Sequence, residues 1–210
     1  MRSTSILGFS LIALGTLTIA HTALAKDTAT KWTEIVPTNI NDFDSVFNKV
    51  GAIDTTVTTQ TTAMTTAHTS VNTVLGVAEG SPLSDAIKGA VAAAGGKLSL
   101  DTSGGVPHLK AAGDAPDAIK ADAKAVNGLI DVGTATIKTC TDLVPQAEGL
   151  VTAVKDFPAK LKGMDPAVVL KATGPLGKDM KATSETPARI KALSDAAVQI
   201  YTDIKGAFGS

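Results

Sequence analysis

A single heptad stripe limits what this chain can become more than any other feature. Phe43, Val46, Val50, Ile53, Val57, Gln60, Met64, Ala67, Val71 and Val74 alternate spacings of three and four, the rhythm that keeps one face of an α-helix apolar. Only Gln60 breaks the series. Asn39 or Asn41 is placed to cap the start, and Asp42 and Asp44 fall in the first turn, where the helix dipole favours acids. The stripe predicts a helix to about Ala78, with Gly80 as its stop.

The flanks of this helix oppose the stripe in local propensity. Thr55 to Ala78 holds no Asp, Glu, Lys or Arg, and ten of these 24 residues are Thr, a mediocre helix former and a good strand former. The period decides for helix, because a strand needs alternation by two, while Thr55-Thr56, Thr58-Thr59 and Thr61-Thr62 recur between core positions. Two readings of this charge-free face stand: flanks partly covered by neighbouring elements, or a small-residue face that packs against another subunit or a membrane.

A second stripe runs through Ile119, Ala123, Val126, Ile130, Gly133, Ile137, Cys140, Val144, Ala147, Val151, Val154 and Leu161, with Pro158 in the last gap. Asp114 or Asp117 is placed to cap it, Pro116 suits the first turn and Gly163 the end. Pro145 removes a backbone donor inside the stripe, so a kink is expected near Val144. Shorter helices are expected after Ser81-Pro82, with Leu83, Ile87, Val91 and Ala94 inward, after Asp165-Pro166, and after Thr186-Pro187, with a turn at Gly174-Pro175. Lys97 to Gly113 is the one clearly non-helical stretch.

At about 1.5 Å per residue the two stripes span roughly 45–50 Å and roughly 65 Å. The fold class expected is all-α: an elongated antiparallel helical bundle with two long heptad-patterned helices and shorter C-terminal helices, preceded by a signal peptide. The unequal lengths leave room for a homo-oligomer or a helical protein partner to complete the core.

The first 25 residues carry the signal. Arg2 gives the positive start, Ile6 to Ala20 is mainly apolar, and Ala23-Leu24-Ala25 has the small-x-small cleavage pattern, in a run too short to span a bilayer well. Residues 1–25 are therefore expected to be removed, leaving residues 26–210 as one helical domain starting at Lys26, periplasmic or secreted. No cysteine follows the cleavage site, which closes the route to a lipid-modified N-terminus.

Composition excludes several functions. Removing Arg2 shifts the net charge only from −1 to −2, the Lys residues are scattered, and Arg189 is the one Arg left. Nucleic-acid binding normally needs a basic patch with Arg and stacking aromatics. Trp32 and Tyr201 are the only Trp and Tyr. Cys140, the sole cysteine, excludes an internal disulfide and reads as a small buried hydrophobe, with an intermolecular disulfide as its alternative. His68 reads as a flank residue. His108, in the Gly- and Pro-rich loop, has no recognisable carboxylate or nucleophile near it in sequence. Asp114, Asp117 and Asp122 lack a calcium loop, and two mature His with one Cys are too few for zinc. No catalytic, cofactor-binding or metal residue is assigned.

Ala86 to Gly96, with Lys88 its single charge, is a short apolar element between two long heptad helices. That layout resembles the plan of α-helical pore-forming toxins, without any diagnostic motif, and it implies lipid insertion; a buried capping helix is the preferred alternative. The function expected is that of an exported, non-enzymatic helical protein acting through protein–protein contacts in a structural, adaptor or envelope-associated role. A membrane-active helical protein is the alternative, with membrane contact not favoured.

Overall fold

The computed structural model describes residues 34–78 and 81–209, and these are mostly helical. Helix α1 spans Asn41–Val74, α2 Leu83–Ala93, α3 Asp117–Val154, α4 Phe157–Leu161 and α5 Pro166–Ala207; strands β1 (Leu98–Asp101) and β2 (His108–Ala111) lie between α2 and α3. The signal-peptide segment and Trp32 lie outside the described residues.

In α1 the period prevails over Thr propensity because burial of the stripe stabilises the helix, and the Thr hydroxyls are accommodated within it. Thr55, Thr59, Thr62 and Thr65 each donate their hydroxyl to the carbonyl four residues back, at 2.8–3.0 Å. The side-chain donor is thereby satisfied within the helix, a local arrangement Thr uses in place of a competing turn. The stripe residues Phe43, Val50, Ile53, Val57, Met64 and Val71 are buried, and Phe47 joins them in place of Val46. Gln60 meets a matching polar group, accepting from the buried Thr136 hydroxyl at 3.0 Å.

Both ends of α1 differ from expectation. Its N-cap is Ile40, with no side-chain cap, and Asp44 reaches back to the Thr38 and Asn39 backbone N–H groups instead. At the other end Val77 N–H donates to Asn72 O at 3.0 Å and Gly76 N–H to Thr73 O at 3.3 Å. Gly76 has φ +65°. This is the paired closure of a Schellman motif, which needs a left-handed residue just past the helix. Gly76 therefore ends the helix, four residues before the expected limit; Gly80 lies outside the described residues.

Proline departs from expectation at Pro158, Pro175 and Pro187 but not at Pro145, where the helix continues, as a kink in place of a break requires. Helix α3 runs without interruption through Pro145, which is exposed, so the carbonyl it leaves without a backbone donor is open to water. The interruption comes at Pro158, where α3 stops at Val154 and α4 restarts with proline in its first turn, the one place where a missing N–H costs nothing. The expected turn at Gly174-Pro175 and new start at Thr186-Pro187 do not form. Pro175 and Pro187 lie inside the single 42-residue helix α5. A proline costs a helix about 3 kcal/mol, but Leu176, Ile190, Leu193, Ala197, Ile200 and Ile204 all bury along α5, each contributing roughly 1–3 kcal/mol. Packing outweighs the two breakers. The α5 start is as the sequence implies, with Pro166 first and the Asp165 carboxylate accepting from Ala167 N–H at 2.7 Å. By contrast α3 is capped by neither Asp114 nor Asp117; Pro116 is its N-cap, without a side-chain bond.

Contacts along the helices fix their directions. The Phe43 and Phe157 rings stack at 4.0 Å, Phe47 meets Phe157 edge-on at 5.6 Å, and Gln60 reaches Thr136, so α1 and α3 run oppositely. Thr134 and Tyr201 share a hydrogen bond, and a Cβ added at Gly133 would lie 3.7 Å from Ala197 O. With Val154 and Leu161 packed near Ala172 and Leu176, α5 also runs opposite to α3. Helix α2 packs on α5.

The expected non-helical stretch is an antiparallel hairpin, which the all-α reading did not include. Its register pairs Leu98 with Ala111 and Asp101 with His108. Asn127 of α3 holds the hairpin by bonding both the N–H and the carbonyl of Leu109, at 2.7 and 2.9 Å.

Candidate functional site

The Thr-rich flank of α1 lies open, not under neighbouring elements. Thr55, Thr58, Thr59, Thr62, Thr65, Thr66, Thr69, Ser70 and Thr73 are all exposed. Because their hydroxyls largely donate to their own helix, the face presents methyl groups and hydroxyl lone pairs, with no charge between Thr55 and Ala78. Near its end Thr65, Thr66, Thr69, Ser70, Thr73 and Val74 line a shallow open groove. Val74 is 43% exposed although it completes the heptad stripe. Asp54, the last acid before this face, is half-buried; burial raises its carboxyl above the usual range, against the Thr58 hydroxyl and the charge of Arg189.

Two further groupings carry polar chemistry. His108 has the carboxylate partner that its sequence neighbourhood lacks: Asp131, supplied by α3, lies 3.2 Å from Nε2, while Nδ1 lies 3.2 Å from Val106 O. Both partner atoms are acceptors only. Asp101 stands opposite in the hairpin register, held below the usual carboxylate range by the Ser103 hydroxyl and N–H, at 2.7 and 2.9 Å. No hydroxyl or thiol is hydrogen-bonded to His108 among the described residues. The arrangement ties the hairpin to α3. The second grouping lies where the segment preceding α1 crosses α5, around the buried Asp179.

Cys140 is 1% exposed inside the main core, and burial pushes its thiol above the usual range. His68 is half-buried on the α1 flank, as its place beside Ala67 implies. Leu83 and Ile87 of α2 are buried in that same core and Val91 packs against it, so the apolar side of Ala86 to Gly96 faces protein. Asp114 pairs with Lys97 at 2.9 Å and Asp117 with Lys120 at 3.7 Å, each at the surface. Among the described residues no cluster of three or more His, Cys, Asp or Glu could hold a metal ion, and no helix is long and apolar enough to cross a membrane.

Comparison with protein-family models, curated proteins and solved structures finds no match to this chain.

Proposed function

We propose that this is an exported, non-enzymatic protein, an elongated antiparallel helical bundle that acts through protein–protein contacts, and that the charge-free Thr face of α1 is its contact surface. The observation that carries the reading is the exposure of that face. A solvated helix normally carries charge on its outer side, whereas this one offers methyl groups over about six turns, a surface that protein can cover without desolvating any ion. Arg2, Ile6 to Ala20 and Ala23-Leu24-Ala25 support export to the periplasm or beyond. The partner is another protein or a second copy of the chain, with no nucleic acid and no cofactor involved.

Two charges placed on the face test this. Thr62→Lys with Thr66→Glu puts an i,i+4 pair at exposed positions, which leaves the helix intact. The doubly substituted chain should keep its circular dichroism spectrum yet lose cross-linking to its neighbour in the native envelope or culture fluid. Unchanged cross-linking would refute the assignment of the surface.

A further inference from the structure

The extended segment from Glu34 to Ile40 is held against the helices by two carboxylates, and these are unequally supplied with donors. Asp44, on α1, accepts from Thr38 N–H and Thr38 O–H, both at 2.7 Å, and from Asn39 N–H at 3.1 Å. Among the described residues Asp179, on α5, accepts only from Val36 N–H, at 3.1 Å on Oδ1. Its side chain is 0% exposed, and Oδ2 has no hydrogen-bond partner among the described residues. The buried hydroxyls nearest along its own helix, on Thr183 and Thr186, donate to the Asp179 and Ala182 carbonyls. The charges that act on Asp179 are Asp44 from α1 and Lys178 from α5 itself; Glu34, in the segment, is exposed, and no charged side chain of α3 or α4 acts on it among the described residues.

We propose that Asp179 is a proton-controlled latch: with a proton on its carboxyl the segment Glu34 to Ile40 lies closed on α5, and loss of that proton loosens it. The neutral acid keeps a carbonyl oxygen to accept Val36 N–H, removes a charge from an enclosed site, and ends the repulsion with Asp44. An ionised carboxylate needs several donors when buried, and among the described residues it has one here. Water supplies the others only if the segment lifts. Burial accordingly raises the Asp179 carboxyl above its ordinary value of 3.8, opposed by Val36 N–H and reinforced by Asp44. For a group raised in the folded state, the stabilisation is complete below the unfolded value and is lost as pH rises through the folded one. The latch is therefore an acid-closed one.

Hydrogen exchange at the Val36, Thr38 and Asn39 amides of the full mature chain tests the latch. After correction for intrinsic exchange, Val36 protection should fall by about tenfold or more between about pH 4 and about pH 8. Asp179→Asn keeps an acceptor of the same shape but cannot titrate, so its profile should be flat and its segment protected throughout. Burial also raises the Asp54 and Asp122 carboxyls, but both remain in the variant, so the difference between the two profiles belongs to Asp179. A flat wild-type profile, or a variant that tracks the wild type, overturns the proposal. Should the variant fail to fold, carbon-13 titration of the wild-type Asp179 carboxyl decides. A midpoint above 3.8, shared by the Val36 amide shift, supports the latch, and one at or below that value refutes it.

Discussion

Phe157 is the side chain whose removal the fold should tolerate least. It begins the short helix α4, just before Pro158, is 2% exposed, and receives the Phe43 face at 4.0 Å and the Phe47 edge at 5.6 Å, while Lys160 Nζ lies 5.6 Å from its ring centroid. One ring thus joins the beginning of α1 to the turn between α3 and α5. Phe157→Ala removes that ring from a site walled by Val154, Leu161, Ala172 and Leu176, helical residues with little freedom to collapse inward. Buried Phe→Ala changes cost about 3–5 kcal/mol, and the upper half of that range is expected because each aromatic pair contributes a further ~0.5–1.5 kcal/mol beyond its area. In a chain of this length each kcal/mol lowers the melting temperature by about 2–4 °C, so a fall of roughly 10 °C should appear in a thermal melt followed by circular dichroism. Leu170→Ala, at a position 82% exposed on the same end, is the control and should change stability by less than about 0.5 kcal/mol. A Phe157→Ala loss under about 1 kcal/mol with the helical spectrum intact would refute the claim that this cluster pins the helix ends.

Gly76→Ala should destabilise by about 1 kcal/mol in urea titration: a Cβ there would meet nothing within 4 Å, but the left-handed conformation penalises it. Cys140 should react slowly with thiol reagents in the folded protein and quickly after denaturation, since its thiol is both enclosed and raised by burial; a covalent dimer in freshly isolated material would contradict this. Intact mass of the exported protein should match a chain beginning at Lys26, and an uncleaved, detergent-requiring product would defeat the export reading. Micromolar protein should release no dye from neutral vesicles, because exposing Leu83 and Ile87 to lipid first requires taking them from the core; leakage abolished by Val91→Asp would favour the membrane-active alternative.

The sequence revealed the helices better than their ends. Stripe positions such as Val50, Ile53, Val57, Val126, Ile130 and Ala147 are buried as their spacing implies, because burial follows period directly. The prolines were harder to read. Pro145, Pro175 and Pro187 look alike in sequence to Pro158, and local sequence does not separate the three that a helix runs through from the one that sits in the first turn of a new helix. The hairpin was legible only as a non-helical stretch, since four-residue strands leave too few alternations to read. Asp131 and Asp179 escaped notice for the same kind of reason: the contacts that give them meaning, with His108 and Val36, span 23 and 143 residues. Around Asp179 one signal was present, an acid among the small and apolar residues of a helix face, but Ala172, Leu176, Thr183 and Thr186 mark that face as buried only once α5 is known to be continuous.

The order of the helices along the chain sets the order in which they can find partners. Helix α5 follows α3 after a short connection, so their contacts zip outward from the turn, reaching a separation of 67 residues only at Thr134 and Tyr201. Helix α1 starts farther away, meeting Thr136 across 76 residues, and the Val36 contact closes across 143. Loop-closure entropy rises with these separations, which makes the α3–α5 pair the natural nucleus and the Glu34 to Ile40 segment a late arrival. Synthesis runs the other way, delivering α1 first. Helix α3 supplies most of what the Phe43 to Val71 stripe packs against, so a nascent chain of this protein presents much of that apolar side before it can hide it.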